Sequence, residues 1–210
     1  MNLQFILIYQ RILPKMKDSK TILKELFRKS IHICSSAVPW FFAAYYWYTV
    51  YGLLIIVSLY YFCELARLEG HPVPVVSLIT ETASRQRDEC KFVLGPVTLV
   101  LGIVFAALVL PLPCAKIGIF ALAFGDGLAS LAGKLFGRIK IPHTGGKTLE
   151  GSLTCFTAVF ISTFIVSRNP VVSLLVALLA MLIEVFPLGD WDNMIIPAAT
   201  GGLYWLLTMN

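Results

Sequence analysis

Charged side chains are scarce in this chain. Asp, Glu, Lys and Arg make up 14% of its 210 residues, against roughly a quarter in soluble domains. No long hydrophilic stretch is set apart from the apolar ones, which argues against a separate soluble domain. The five cysteines (Cys34, Cys63, Cys90, Cys114, Cys155) form no C-x-x-C pair. Neither a zinc site nor a disulfide framework is suggested, and the reading is small buried hydrophobes. The first stretch, MNLQFILIYQRIL, has no basic residues before it and no small-x-small cleavage site. It reads as an interfacial or partial helix rather than a signal peptide. No repeat, low-complexity tract or nucleic-acid motif is present. A strict phosphate-binding P-loop is also missing: in IPHTGGKTLEGS, Ile141 stands where G-x-x-x-x-G-K-[ST] requires glycine.

What is there is apolar. The chain is 58% hydrophobic, and several runs approach the ~20 residues that cross a bilayer. The expectation is an all-α, polytopic membrane bundle. Seven spans are placed at 31–47, 50–66, 92–110, 114–133, 151–167, 170–186 and 193–208, with an N-terminal interfacial segment over 1–30 and one membrane domain over 31–210. A Tyr/Trp-rich turn separates the first two spans, and ITETASRQRDEC (79–90) reads as a short polar or amphipathic helix. The bases collect before the first span (Lys15, Lys17, Lys20, Lys24, Arg28, Lys29), after the second (Arg67, Arg85, Arg87, Lys91) and after the fourth (Lys134, Arg138, Lys140, Lys147). The positive-inside rule then puts the N-terminus in the cytoplasm and the C-terminus outside. The net charge of +5 is thus local, and topology and anionic headgroups alone account for it.

Ionisable groups at the edges of spans are costly and default to functional hypotheses. Asp126 is the clearest, set between Gly125 and Gly127 late in the fourth span. The glycines permit unwinding of the backbone or close approach of a ligand, and the bland alternative is close packing of helices, with Gly133 and Gly137 at G-x-x-x-G spacing. Packing does not account for the aspartate. The loop that follows brings Lys134, Arg138, Lys140, His143, Lys147, Thr148 and Glu150, a set of cations near a carboxylate that suits a polyphosphate and its divalent metal. The bland alternative is a solvated basic loop. A second acidic group, Glu184, Asp190 and Asp192 with Asn193, offers hard oxygen ligands for Mg²⁺; the alternative is a polar turn. A third group lies earlier. Glu25, Arg28, Lys29 and His32 share a helix face at i, i+3, i+4 and i+7, and Glu64 and Arg67 are i, i+3 neighbours. A surface ion-pair face is the alternative there.

Residues 125–152, GDGLASLAGKLFGRIKIPHTGGKTLEGS, resemble the signature of the polyprenol kinase family, which includes dolichol kinase, phytol kinase and the CTP-dependent diacylglycerol kinase of yeasts. Asp126, Ala129, Ser130, Gly133, Gly137, Lys147, Thr148, Glu150, Gly151 and Ser152 match it. ELFRKSIHI (25–33) is similar to the family's Arg-Lys-x-x-His approach to its first span, and EVFPLGDWDNMIIP (184–197) to its Glu-x-x-Pro…Asp-Asn segment. Trp191 departs from the pattern, standing where many members have a second acid. The resemblance implies a lipid-alcohol kinase, CTP as the donor ahead of ATP, and a minimal version of prokaryotic type in a plasma membrane, working at the cytoplasmic face. On this reading Asp126 and Asp192, assisted by Asn193, hold Mg²⁺. Lys134, Arg138, Lys140 and Lys147 clamp the phosphates, with Thr148, Glu150 and Ser152 beside them. Asp126 or Glu184 takes the hydroxyl proton. Arg28, Lys29, His32, Glu64 and Arg67 form the second side. The expected partners are a nucleotide, a long-chain lipid alcohol and membrane lipids, with no nucleic acid and a homo-oligomer left open. Two rivals stand: a CTP-dependent phosphatidate cytidylyltransferase, whose Asp-rich C-terminal signature is missing here, and a non-enzymatic carrier or assembly subunit.

Overall fold

A computed structural model describes residues 22–83 and 91–209. The apolar N-terminal stretch, Lys15, Lys17, Lys20, Arg85, Arg87, Cys90 and most of the 79–90 segment lie outside the described residues. Seven helical elements carry the rest. α1 runs Ile22–Leu68, α2 Pro74–Ala83, α3 Gly95–Val109, α4 Leu112–Phe136, α5 Leu149–Ser167, α6 Pro170–Val185 and α7 Asp192–Thr208. No β-strand occurs among the described residues beyond an isolated bridge of Lys140 with Thr148. α1, α4 and α5 are long and apolar enough to cross a membrane, and α3 and α6 are shorter apolar helices.

α1 is not one straight rod. Tyr45 leaves helical geometry at φ −144°, ψ 64°, and the contacts on either side show a reversal. Lys29 meets Asp126, and Trp40 packs at a tilt against Phe120 with Lys116 5.2 Å from its ring centroid. Past the break, the Tyr46 hydroxyl donates to the Ala107 carbonyl at 2.6 Å, near the end of α3. The Tyr60 hydroxyl donates to the Val93 carbonyl at 3.0 Å, just before α3 begins. The chain therefore returns to the end from which it came. This is the hairpin expected from the Tyr/Trp-rich turn, with its break at Tyr45 rather than at 48–49. Trp40, Tyr45, Trp47, Tyr48 and Tyr51 are all exposed around it, as suits amphipathic rings at a membrane interface.

α4 is the buried centre, with Ile117, Ile119, Leu122 and Ala123 at 0% exposure. α7 packs against it and against α3 at backbone distance. Pro197 has no N–H, so the Asn193 carbonyl lacks its usual helical donor. That carbonyl lies where a Cβ on Gly102 would sit, 2.1 Å away, and the Pro197 carbonyl lies 2.2 Å from the Cβ position of Gly118. Only glycine admits such an approach. Between Ala121 and Asp126 α4 widens into a π-helical stretch, a distortion common at functional sites. Gly133 and Gly137 pack beyond it onto Thr148. Both sequence readings of these glycines hold, unwinding before Asp126 and close packing after it. The cysteine reading holds in part: Cys114 and Cys155 are buried, Cys63 is half-buried and Cys34 is exposed.

Candidate active site

The loop 137–148 begins where α4 stops at Phe136. It folds back on itself, with the Ile141 N–H donating to the Lys147 carbonyl and the Leu149 N–H to the Ile139 carbonyl, each at 2.9 Å. The turn needs left-handed backbone at His143 (φ 62°), Gly145 (φ 69°) and Gly146 (φ 97°). Glycine takes that conformation at no steric cost, so Gly145-Gly146 shapes a turn that presents Lys147. Thr148 caps α5, its hydroxyl accepting from the Gly151 N–H at 3.2 Å. Glu150 fastens the loop base by accepting from the Arg138 and Ile139 N–H groups.

This loop, the α4 end, the α1 start and the α6–α7 turn enclose a cavity of about 460 Å³. Asp126 lies in its wall at 3% exposure. The Lys29 ammonium donates to Asp126 Oδ2, and His32 Nδ1 stands 3.3 Å from the same oxygen. Lys29 is itself 2% exposed, which is rare for lysine unless it is paired. Glu184 closes the opposite side, accepting from Lys147 and, at 3.2 Å, from the Ser152 hydroxyl. Burial alone would lower the Lys147 ammonium, but Glu184 beside it holds it above the ordinary lysine value. Asp192 lines the same space.

Glu25 joins α1 to α4. It accepts from Arg28 at 2.5 Å, Ser130 at 2.5 Å and Lys134 at 2.6 Å. The i, i+3, i+4 pattern on α1 puts Glu25 on the right face, but its partners on α4 have no signal in spacing. Thus Arg28, Lys29, Asp126, Lys134, Lys147, Thr148, Glu184 and Asp192 come together around one cavity.

Other expected site residues lie elsewhere. Arg138, Lys140 and His143 do not line the cavity. Glu64 and Arg67 pair with each other at 2.7 Å. Glu64 accepts from the Val93 N–H at 2.9 Å and Arg67 donates to the Lys91 carbonyl at 2.9 Å, so they tie the return limb of α1 to the segment before α3. Asn193 faces Thr98 and Gly95, donating to Thr98 Oγ1 at 2.9 Å. Among the described residues no group of three or more His, Cys, Asp or Glu is placed to hold a metal ion alone.

No protein-family model matches the chain, and no solved structure does. Curated proteins do. "Phytol kinase" of Synechocystis sp. is 28% identical over 190 residues, 86% of this chain and 78% of that protein. "Phytol kinase 1, chloroplastic" of Arabidopsis thaliana is 26% identical over 151 residues, covering 63% of this chain. "Probable phytol kinase 1, chloroplastic" of Glycine max is 31% identical over 78 residues, 36% of this chain. The matched stretches span 50% and 26% of the two plant proteins. These similarities bear out the resemblance to the polyprenol and phytol kinase family carried by residues 125–152.

Proposed function

We propose that the chain is a membrane lipid-alcohol kinase that moves the γ-phosphoryl group of a nucleotide, CTP ahead of ATP, to the hydroxyl of a polyprenol, phytol or similar alcohol. The observation that carries this reading is the buried Asp126 in the wall of a cavity that also bears Arg28, Lys29, Lys134 and Lys147. Relatives named phytol kinase support the acceptor class. Phosphoryl transfer demands little covalent chemistry of a protein and much positioning and charge neutralisation, which is what such a wall offers.

The lipid oxygen forms a bond to the γ-phosphorus while the bond from that phosphorus to the β–γ bridging oxygen breaks. A nucleoside diphosphate leaves, and the hydroxyl proton passes to Asp126 or Glu184. Lys147, carried on the Gly145-Gly146 turn, and Lys134 hold phosphate oxygens, and Arg28 guards the α1 side. Lys29 holds Asp126 in place. Mg²⁺ commonly takes one or two carboxylates and completes its shell with substrate phosphates, so Asp126 and Asp192 fit it without a three-ligand protein cage. It would neutralise triphosphate charge there.

The two limbs of α1 with α3 to α7 make the seven crossings, with the N-terminus and this cavity on the cytoplasmic side, where the basic segments gather. The test is to supply the protein in nanodiscs with Mg²⁺, γ-labelled CTP or ATP, and a panel of polyprenol, phytol and diacylglycerol. Label in the lipid together with a nucleoside diphosphate supports the kinase. Pyrophosphate with a CDP-lipid would replace it with a cytidylyltransferase. No turnover by folded protein would favour the carrier reading.

A further inference from the structure

Asp126 borders two spaces. Behind it, away from the glycine turn, lies a crevice of about 40 Å³ between α1 and the start of α3. Its walls are apolar at Ile31, Val93, Pro96 and Leu99, and Arg28, His32, Asp126, Asp190 and Asn193 supply its charged and polar groups. Ile31 and Leu94, which flank it in the chain, are exposed apolar residues. The Lys147 loop and Glu184 do not reach it.

Two buried polar atoms in this crevice have no hydrogen-bond partner. His32 is 6% exposed and its Nδ1 makes no hydrogen bond, since its approach to Asp126 Oδ2 lacks the geometry for one and Lys29 already donates to that oxygen. Asn193 is 3% exposed and its Oδ1 is likewise without a partner, while its Nδ2 is committed to Thr98 and Gly95. Buried polar groups are nearly always satisfied, and those that are not call for an explanation such as a bound molecule. What fits here must donate a hydrogen bond and otherwise present apolar surface. A fully ionised phosphate has no proton to donate, and Asp126 and Asp190 in the wall oppose a further anion despite Arg28. The hydroxyl end of a hydrocarbon chain meets both requirements. The volume is close to the ~30 Å³ share of one water, so it seats the head of such a molecule rather than its tail.

We propose that this crevice is the acceptor subsite, in which the lipid hydroxyl donates to Asn193 Oδ1 and lies beside His32, and the first carbons lie against Val93, Pro96 and Leu99. The inference rests on the kinase reading and sharpens it. The nucleotide occupies the polar cavity, the alcohol enters from the apolar side between α1 and α3, and Asp126 stands where the two meet. His32 is then a positioning residue for the acceptor.

The test is steady-state kinetics in nanodiscs, using whichever of phytol or polyprenol the wild type phosphorylates, with the alcohol and the nucleotide varied separately. For His32→Ala the expected result is a rise in alcohol KM of about tenfold or more, with nucleotide KM within about twofold. His32→Asn, which restores a hydrogen-bonding group, should recover part of the loss. Ile31→Trp narrows the rim at a half-exposed position that should tolerate it, and should weaken the alcohol KM alone. Nucleotide KM moving as far as alcohol KM would overturn the proposal. So would an unchanged alcohol KM in both Ile31→Trp and His32→Ala, the result expected if the crevice holds only water. A wild type that labels no alcohol removes the kinase reading itself, an outcome separate from either of these.

Discussion

Asp126 with Lys29 and Glu64 with Arg67 are alike on paper: a carboxylate near the end of an apolar span, paired with a base. Both carboxylates are buried, Asp126 at 3% and Glu64 at 1% exposure. Their surroundings differ. Asp126 is reached by a lysine and a histidine from another helix and borders open space on two sides. Glu64 is reached by Arg67 one turn away and by the Val93 amide, and borders neither space. A buried charge whose partners are backbone and a helical neighbour fastens the chain. One held by distant side chains at a cavity wall is available for chemistry. The difference lies in what remains open around the pair, since the ion pair itself is common to both.

Breaking each pair should therefore give different losses. Asp126→Asn keeps the shape and removes the charge, and we expect turnover to fall by about 10²- to 10³-fold, as when other transition-state electrostatic contacts are lost. Labelled-phosphate transfer per folded molecule measures it. Lys147→Met removes a phosphate clamp and leaves Glu184 without its cation. A fall of about 10- to 10²-fold in kcat/KM for the nucleotide is expected from the loss of a charge-assisted contact.

Glu64→Gln should act on stability instead. About 1–3 kcal/mol is the usual cost of a compromised buried hydrogen-bonding group, read as a lower thermal midpoint in detergent, with turnover per folded molecule unchanged. Arg138→Ala should do least. Its side chain lies outside the cavity and the loop is fastened through its backbone N–H, so activity should stay within about threefold, as expected where an exposed charge is worth little.

The sequence carried much of this architecture because hydrocarbon imposes its own spelling. Apolar runs and the Tyr/Trp turn mark where helices run and reverse, and apart from the start of α1 at Ile22 the observed helices fall within a few residues of the placed spans. Asp126 stood out for the same reason, as an acid where acids are costly. What stayed hidden was tertiary. Nothing in spacing tells that Glu25 gathers Ser130 and Lys134, that Asn193 turns toward Thr98, or that the Asn193 carbonyl freed by Pro197 needs Gly102 beside it. The basic loop shows the limit from the other side. Four cations in sequence suggested four phosphate contacts, but the hairpin at 139–149 turns only Lys147 inward, while Lys134 reaches the cavity from the end of α4.

The most direct test of the central claim, that the cavity at Asp126 is where phosphoryl transfer occurs, sets Asp126→Asn beside Glu64→Gln in one γ-phosphate transfer assay, normalised to folded protein. Label in the lipid is expected for wild type and Glu64→Gln, and almost none for Asp126→Asn. Equal transfer by Asp126→Asn and wild type would contradict it.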